Sequence, residues 1–344
     1  MSQENETTDT ILCLSLNESR TEIAVGTLVG FYVFTVGDQL ERKYFQKIGG
    51  IGVAELLGNS EILLVGGGSH PFMSDSEIVV YDMNTNKVIK EKQRHYNRPI
   101  RNCRATSSDI FIASDQTIDV FKTLTSVPQI FDTGENPRGI FSVCYNRRIF
   151  AYPSAQMGRI IVHDLDNRYD IATFPAHEHD IYTMSPSFDG VLATVSQNGT
   201  ILRVWETDSG TLVKEMRRGS TSANVYCVCV SDDKRFAVLH SNSGTVHVFS
   251  LCEEYKNQVG VVAGLISGMM GWVGKKENVA EYSAVTIPKI VPGVQTCVCF
   301  LPSEKCQIGL FTLSGKYIKI GLTLNTHNKT ITNEDPQTIA FDLE

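Results

Sequence analysis

The chain has 344 residues, with 31 Lys and Arg against 38 Asp and Glu, a formal net charge of −7. That length suits one large all-β domain or two ordinary ones, and 42% apolar content supports a sizeable core. The acidic balance argues against non-specific nucleic-acid binding, which wants a basic excess, and no run of about 18 apolar residues is present to form a spanning helix.

The first residues, M-S-Q-E-N-E-T-T-D-T, are polar and acidic and match neither a signal peptide nor a transit peptide. Residues 1–8 are set aside as a polar tail. Beyond them one short pattern recurs: alternating apolar residues, often closing on an aromatic or acidic residue, then a turn. It reads G-F-Y-V-F near residue 33, I-V-V-Y-D near 80, I-D-V-F-K near 120, I-I-V-H-D near 162, L-R-V-W-E near 204 and V-H-V-F-S near 248, with a weaker copy, Y-I-K-I-G, near 319. The first six lie roughly 40 to 47 residues apart, the blade period of a WD-repeat propeller. The last gap is about 70 residues and holds an insertion. Each copy follows a second strand and a tight turn, as in A-T-V-S-Q-N-G-T, where glycine supplies the positive φ of a hairpin. Seven copies predict an all-β, seven-bladed β-propeller of WD-repeat type over residues 9–324, a closed ring with few exposed edges. Residues 325–344 read as a polar C-terminal tail.

The nine cysteines are odd in number and scattered, as expected of reduced core residues. Cys227 and Cys229, like Cys297 and Cys299, form Cys-x-Cys pairs that lack the spacing of zinc knuckles. No metal and no cofactor is assigned.

Between the fifth and sixth repeats lies K-E-M-R-R-G-S-T, with Arg217, Arg218 and Gly219. Arginine suits bidentate phosphate recognition, and Ser220 and Thr221 add hydroxyl donors. Neighbouring side chains of an extended segment point to opposite sides, so the two arginines suit two separate anions. From charge alone, a solvated pair held by Glu215 and Asp208 is the better explanation, because surface arginine pairs are common.

The stretches A-H-E-H-D-I, A-T-V-S-Q-N-G-T-I-L-R-V-W-E-T, M-R-R-G-S-T-S-A-N-V-Y-C-V and S-G-T-V-H-V-F-S resemble the PROPPIN family, β-propellers with the hallmark F/L-R-R-G. The stretch L-L-V-G-G-G-S-H-P-F-M-S-D-S-E-I-V-V-Y-D is most like the WD-repeat-45 type within it. The resemblance spans about Ile11 to Leu322. It implies polyphosphoinositide binding, to phosphatidylinositol 3-phosphate or the 3,5-bisphosphate, and a role in autophagy. Carried over, one headgroup site uses Arg217 and Arg203 with His177, Thr194, Ser196 and Thr200. The second uses Arg218 with Ser220, Thr221, Ser241, Thr245 and His247. This chain departs from the family pattern at Met216, and at Asn198 and His240, which read as rim positions. Asn17, Glu18 and the S-H-P-F loop near His70 read as partner contacts.

The insertion, 252–283, contains Q-V-G-V-V-A-G-L-I-S-G-M-M-G-W-V-G-K-K. As a helix it would bring Val259, Val262, Ala263, Ile266, Met269, Met270 and Val273 to one face. Trp272 suits a bilayer interface, and Lys275 and Lys276 suit anionic headgroups. Five glycines between Gly260 and Gly274 oppose a helix in water, so folding against lipid is expected. The membrane-inserting set is Val262, Ile266, Met269, Met270, Trp272 and Val273. Two headgroup sites and an inserting loop would act multivalently.

The expectation is therefore a monomeric, cytoplasmic scaffold, peripherally bound to preautophagosomal, endosomal or vacuolar/lysosomal membranes. Its expected partners are phosphoinositide membranes and autophagy or lipid-transfer machinery, with no nucleic acid. A soluble WD-repeat protein scaffold without lipid binding shares the fold and is the alternative. No nucleophile motif, paired carboxylates or metal spacing indicates an enzyme.

Overall fold

The computed structural model describes residues 9–58, 60–261 and 279–343. Among the described residues, the strands form seven antiparallel sheets of four or five strands, the blades of a propeller: residues 11–47, 51–95, 100–132, 142–175, 181–217, 225–250 with 285–287, and 296–340, beside one two-stranded ribbon. The seven-bladed all-β expectation holds. Every sequence repeat falls on the third strand of its blade, counting from the inside.

Blades stack face to face, so their second and third strands are covered on both sides. This explains why those strands read as near-continuous apolar runs. Phe31, Tyr32, Val33 and Phe34 are all at most 1% exposed, and so are Ile62, Leu63, Leu64 and Val65. Outer strands are covered less and become polar, as in L-E-R-K-Y-F-Q-K at Leu40–Lys47. The cores are seams between blades. One seam joins Leu202, Val204 and Met216 of blade five to Val228, Leu239 and Phe249 of blade six. Hairpin glycines set the rim. Gly199 has φ +64°, and a Cβ there would lie 1.9 Å from the Ala223 carbonyl oxygen, so glycine is what lets the blade-five hairpin approach the linker to blade six this closely.

Two sequence boundaries change. The segment after Leu324 is no tail. The third strand of blade seven, Lys316–Asn325, is ten residues long. Its far half pairs with Thr330–Asn333 and its near half with Gln337–Ala340. These segments are polar because an outer strand buries little, and polarity made them look like a tail. The second change is in the insertion, which leaves blade six between its third strand, Val246–Ser250, and its outer strand, Val285–Ile287. Its root belongs to the propeller: Tyr255 is 4% exposed and packs on Phe236, and Asn257 is buried. Val259–Val261 pairs with Val279–Glu281 as an antiparallel ribbon, so Val259 starts a strand and not a helix. Val262, Ala263, Ile266, Met269, Met270, Trp272, Val273, Lys275 and Lys276 lie outside the described residues.

Candidate functional site

The third and outer strands of blade five, Ile201–Glu206 and Leu212–Arg217, pair with Arg203 opposite Glu215 and Ile201 opposite Arg217. Residues two apart on a strand share a face. Arg203, Glu215 and Arg217 therefore share one face with Thr194 and Ser196, because Thr194 lies opposite Arg203. Trp205 is on that face too, packed with Phe174 of blade four, so the face looks towards blade four. The other face carries Leu202 and Met216 into the blade-six seam. Met216, 1% exposed, is thus a core residue that splits the two arginine environments.

On the blade-four side, Arg203 donates from Nε to Glu215 Oε2 at 2.7 Å and from Nη1 to the Ala176 carbonyl at 2.7 Å. Among the described residues, the Arg217 side chain makes one long hydrogen bond, Nη1 to the Gly219 carbonyl at 3.5 Å. His177 and Thr194 face inward. His177 Nε2 and Thr194 Oγ1 are 2.9 Å apart, and Trp205 Nε1 donates to the same hydroxyl at 2.9 Å. Burial, and secondarily the Arg203 charge, pulls His177 down to about 4, so the ring is neutral at pH 7. Thr194 satisfies a buried indole, and His177 bonds the same hydroxyl. Ser196 is buried and Thr200 half-buried, and neither hydroxyl has a hydrogen-bond partner among the described residues.

On the blade-six side, Arg218 is 8% exposed. Its Nε donates to the Gly199 carbonyl at 2.5 Å and its Nη2 to the Thr221 carbonyl. Both partners are neutral, and no acidic side chain among the described residues pairs with it. Carbonyls satisfy the N–H groups without offsetting the charge, and Nη1 keeps its hydrogens. Burial pulls Arg218 below the usual arginine value, yet a guanidinium stays protonated in proteins. Leu239 lies opposite His247, so His247, Ser241 and Leu239 share the face towards blade five. His247 is drawn down to about 4 by burial first and then by the positive charge of Arg218. Ser241 Oγ is 2.9 Å from Ser243 Oγ, Thr245 is half-buried, and Ser220 and Thr221 are exposed.

His240 is not a rim residue. It lies on the opposite face of its strand, fully buried, with Nδ1 2.7 Å from Thr296 Oγ1 of blade seven. Alternation along the strand sends it away from Ser241. Asn198 is exposed in the hairpin beside Gly199.

The structure adds residues that spacing could not reveal. Ser283 Oγ lies 3.2 Å from His247 Nδ1 and 2.7 Å from Thr286 Oγ1. Tyr282 forms a parallel bridge with Arg217. The exit of the insertion is thus wedged between the two arginine environments. A cavity of about 590 Å³ lies elsewhere, lined by loops that join inner to second strands, Asn17 and Glu18 among them. Its charged lining is Glu18, Arg20, Glu22, Asp189, Asp232 and Lys234, an acidic excess that repels phosphate. Asn17 Oδ1 is engaged by the backbone N–H groups of Thr21 and Glu22.

Among known proteins, the chain is similar to "WD repeat domain phosphoinositide-interacting protein 1" of Homo sapiens, 27% identical over 75% of this chain and 59% of that one. It is also similar to "Autophagy-related protein 18" of Dictyostelium discoideum, 26% identical over 87% and 86%. The match spans only 56% and 62% of two fungal relatives called SVP1-like protein 2, from Neurospora crassa and Emericella nidulans. The solved structure of Kluyveromyces marxianus Hsv2 superposes with a TM-score of 0.75 at 17% identity, covering 96% of this chain and 99% of that one. The complex of KlAtg21 with a coiled coil of AgAtg16 gives 0.71 at 18%, covering 97% and 100%. These two likenesses establish the fold. The PROPPIN family model matches residues 10–284, most of the chain, and the protein belongs to the PROPPIN family.

Proposed function

We propose that this protein is a phosphoinositide-binding scaffold recruited to membranes in autophagy and endomembrane traffic, with headgroup sites on either side of the Arg217-Arg218-Gly219 motif. The observation that carries this reading is Arg218, a buried guanidinium whose charge has no acidic counterpart among the described residues. A buried cation is costly without an anion. The phosphomonoester of phosphatidylinositol 3-phosphate, or of the 3,5-bisphosphate, supplies close to two negative charges and three acceptor oxygens. Neutral His247 and the Ser241 and Thr245 hydroxyls stand nearby to complete the set. On the other side, Arg203 and Arg217 share a face with the Ser196 hydroxyl. The names of the human and Dictyostelium relatives agree with both halves of the proposal.

The insertion, rooted between the two sites, would add apolar burial in the bilayer, and the three contacts together would exceed each alone. The protein acts as a monomeric binder on cytoplasmic membrane surfaces, not as an enzyme, and presents its remaining blades to autophagy or lipid-transfer proteins. The test is liposome flotation with and without phosphatidylinositol 3-phosphate, comparing the wild type with Arg217→Thr/Arg218→Thr. The wild type is expected to float only with the lipid, and the folded double variant to stay behind. Equal flotation of both would remove the arginines from the site. Failure of the wild type on any phosphoinositide would favour a soluble protein scaffold.

A further inference from the structure

We infer that Glu215 is a built-in competitor for the Arg203–Arg217 site, so that the two headgroup sites are unequal and the blade-four site is held back until a phosphate displaces its own carboxylate. The inference rests on the headgroup reading proposed above. It comes from a difference between two neighbouring cations. Arg218 has carbonyl partners only. Arg203 has a carboxylate at 2.7 Å, and that carboxylate lies on the same sheet face as Arg217, two residues along one strand.

The charges make the asymmetry plain. With Glu215 in place, Arg203 and Arg217 present a net single positive charge; with it swung away they present two, the match for a phosphomonoester. Glu215 can swing. Its side chain is 46% exposed, against 22% for Arg203. An exposed pair of this kind contributes little, so a dianion able to engage both arginines outcompetes it. Arg203 would not be lost with it, because its Nη1 hydrogen bond to the Ala176 carbonyl, 2.7 Å, holds the guanidinium independently. Glu215 therefore sets a threshold at this site and is not needed to build it.

The experiment isolates the blade-four site in an Arg218→Thr background and adds Glu215→Gln, which keeps the shape and removes the charge. Binding is measured to phosphatidylcholine vesicles carrying phosphatidylinositol 3-phosphate, and to vesicles carrying phosphatidylserine instead. Glu91→Gln, an exposed carboxylate on blade two, controls for net charge. Glu215→Gln is expected to tighten binding to the phosphoinositide vesicles roughly two- to fivefold, with no comparable gain for Glu91→Gln or on phosphatidylserine. Thermal melting of each variant confirms the fold. Weaker or unchanged binding would make Glu215 a positioning residue for Arg203 and overturn the inference. An equal gain on phosphatidylserine would reduce it to general electrostatics and also overturn it. If the wild type itself does not prefer phosphoinositide vesicles, the headgroup reading fails and takes this inference with it. That outcome is separable, because it appears before any Glu215 variant is compared.

Discussion

Thr194 shows how one residue can carry two meanings. Its hydroxyl joins the Trp205 indole and the His177 imidazole in a space closed to solvent. Thr194→Val leaves a buried indole N–H unpaired and should cost about 1–3 kcal/mol. In urea unfolding the midpoint should fall, and any loss of vesicle binding should recover where the variant is fully folded; a binding loss in a variant of unchanged stability would instead make Thr194 a headgroup ligand. Gly219 is the opposite case. Its φ is not in the left-handed region, and a Cβ there meets nothing within 4 Å. Gly219→Ala should melt within about 2 °C of the wild type, since the chain itself has no steric need for this glycine. A markedly lower melting temperature would show a packing role. The arginine pair is plain in the sequence, and its reading as a headgroup site comes from the family resemblance. The partners that distinguish them, Glu215 for one and the Gly199 and Thr221 carbonyls for the other, required the register.

At the scale of elements, the root of the insertion is bolted to the strand that carries Arg217. Lys214 Nζ lies 2.9 Å from Glu281 Oε2 and donates to the Ser250 carbonyl at 3.2 Å. Asn257 donates to the same carboxylate at 2.9 Å and to the Ser250 carbonyl at 2.8 Å. Partial burial would raise Glu281, but the Asn257 and Lys214 contacts prevail and hold it below the usual carboxylate range. The ribbon of Val259–Val261 and Val279–Glu281 is therefore tied to blade five as well as blade six. Lys214→Ala should raise amide hydrogen exchange in both ribbon strands while leaving the inner strands of blade six unchanged. Unaltered exchange in the ribbon would mean that its own backbone pairing suffices. An insertion was visible in the long gap before the last repeat. Its packed root was not, because the contacts of Tyr255 with Phe236 and of Asn257 with Glu281 depend on how the strands of blade six and the ribbon come together.

At the scale of the whole molecule, blade one takes its strands from the start of the described chain and blade seven from its end, with no strand exchanged between them. The ring closes through side chains. Phe341 meets Phe34 edge-on at 5.2 Å, and Tyr32 Oη donates to the Leu343 carbonyl at 3.1 Å. Phe341→Ala should cost about 3–5 kcal/mol by chemical denaturation, the range for a buried aromatic; a cost under about 1 kcal/mol would mean that the seam closes without it. The ring should also lose stability in acid. His177, His240 and His247 are each held near 4 by burial, against 6.5 for the free side chain. The unfolded chain takes up these protons first as pH falls. Stability is then lost between about pH 6.5 and 4, by at most about 3 kcal/mol per histidine. The melting temperature should drop from pH 7 to pH 5; no change would place these imidazoles in contact with water.

Period and composition alone determined the blade count, the recurring strand of every blade and the place of the insertion; the arginine pair stands out in the sequence, but its headgroup reading rests on the family resemblance. These are local properties: a covered strand must be apolar, a hairpin needs its glycine, and a repeat spacing survives any packing. Only the tertiary structure decided that the polar end of the chain is the outer strand of blade seven. It also turned His240 towards blade seven and gave a carboxylate to one arginine and none to the other. Those outcomes depend on which strands become neighbours and in what register, and residues brought together from tens of positions apart leave no trace in local spacing.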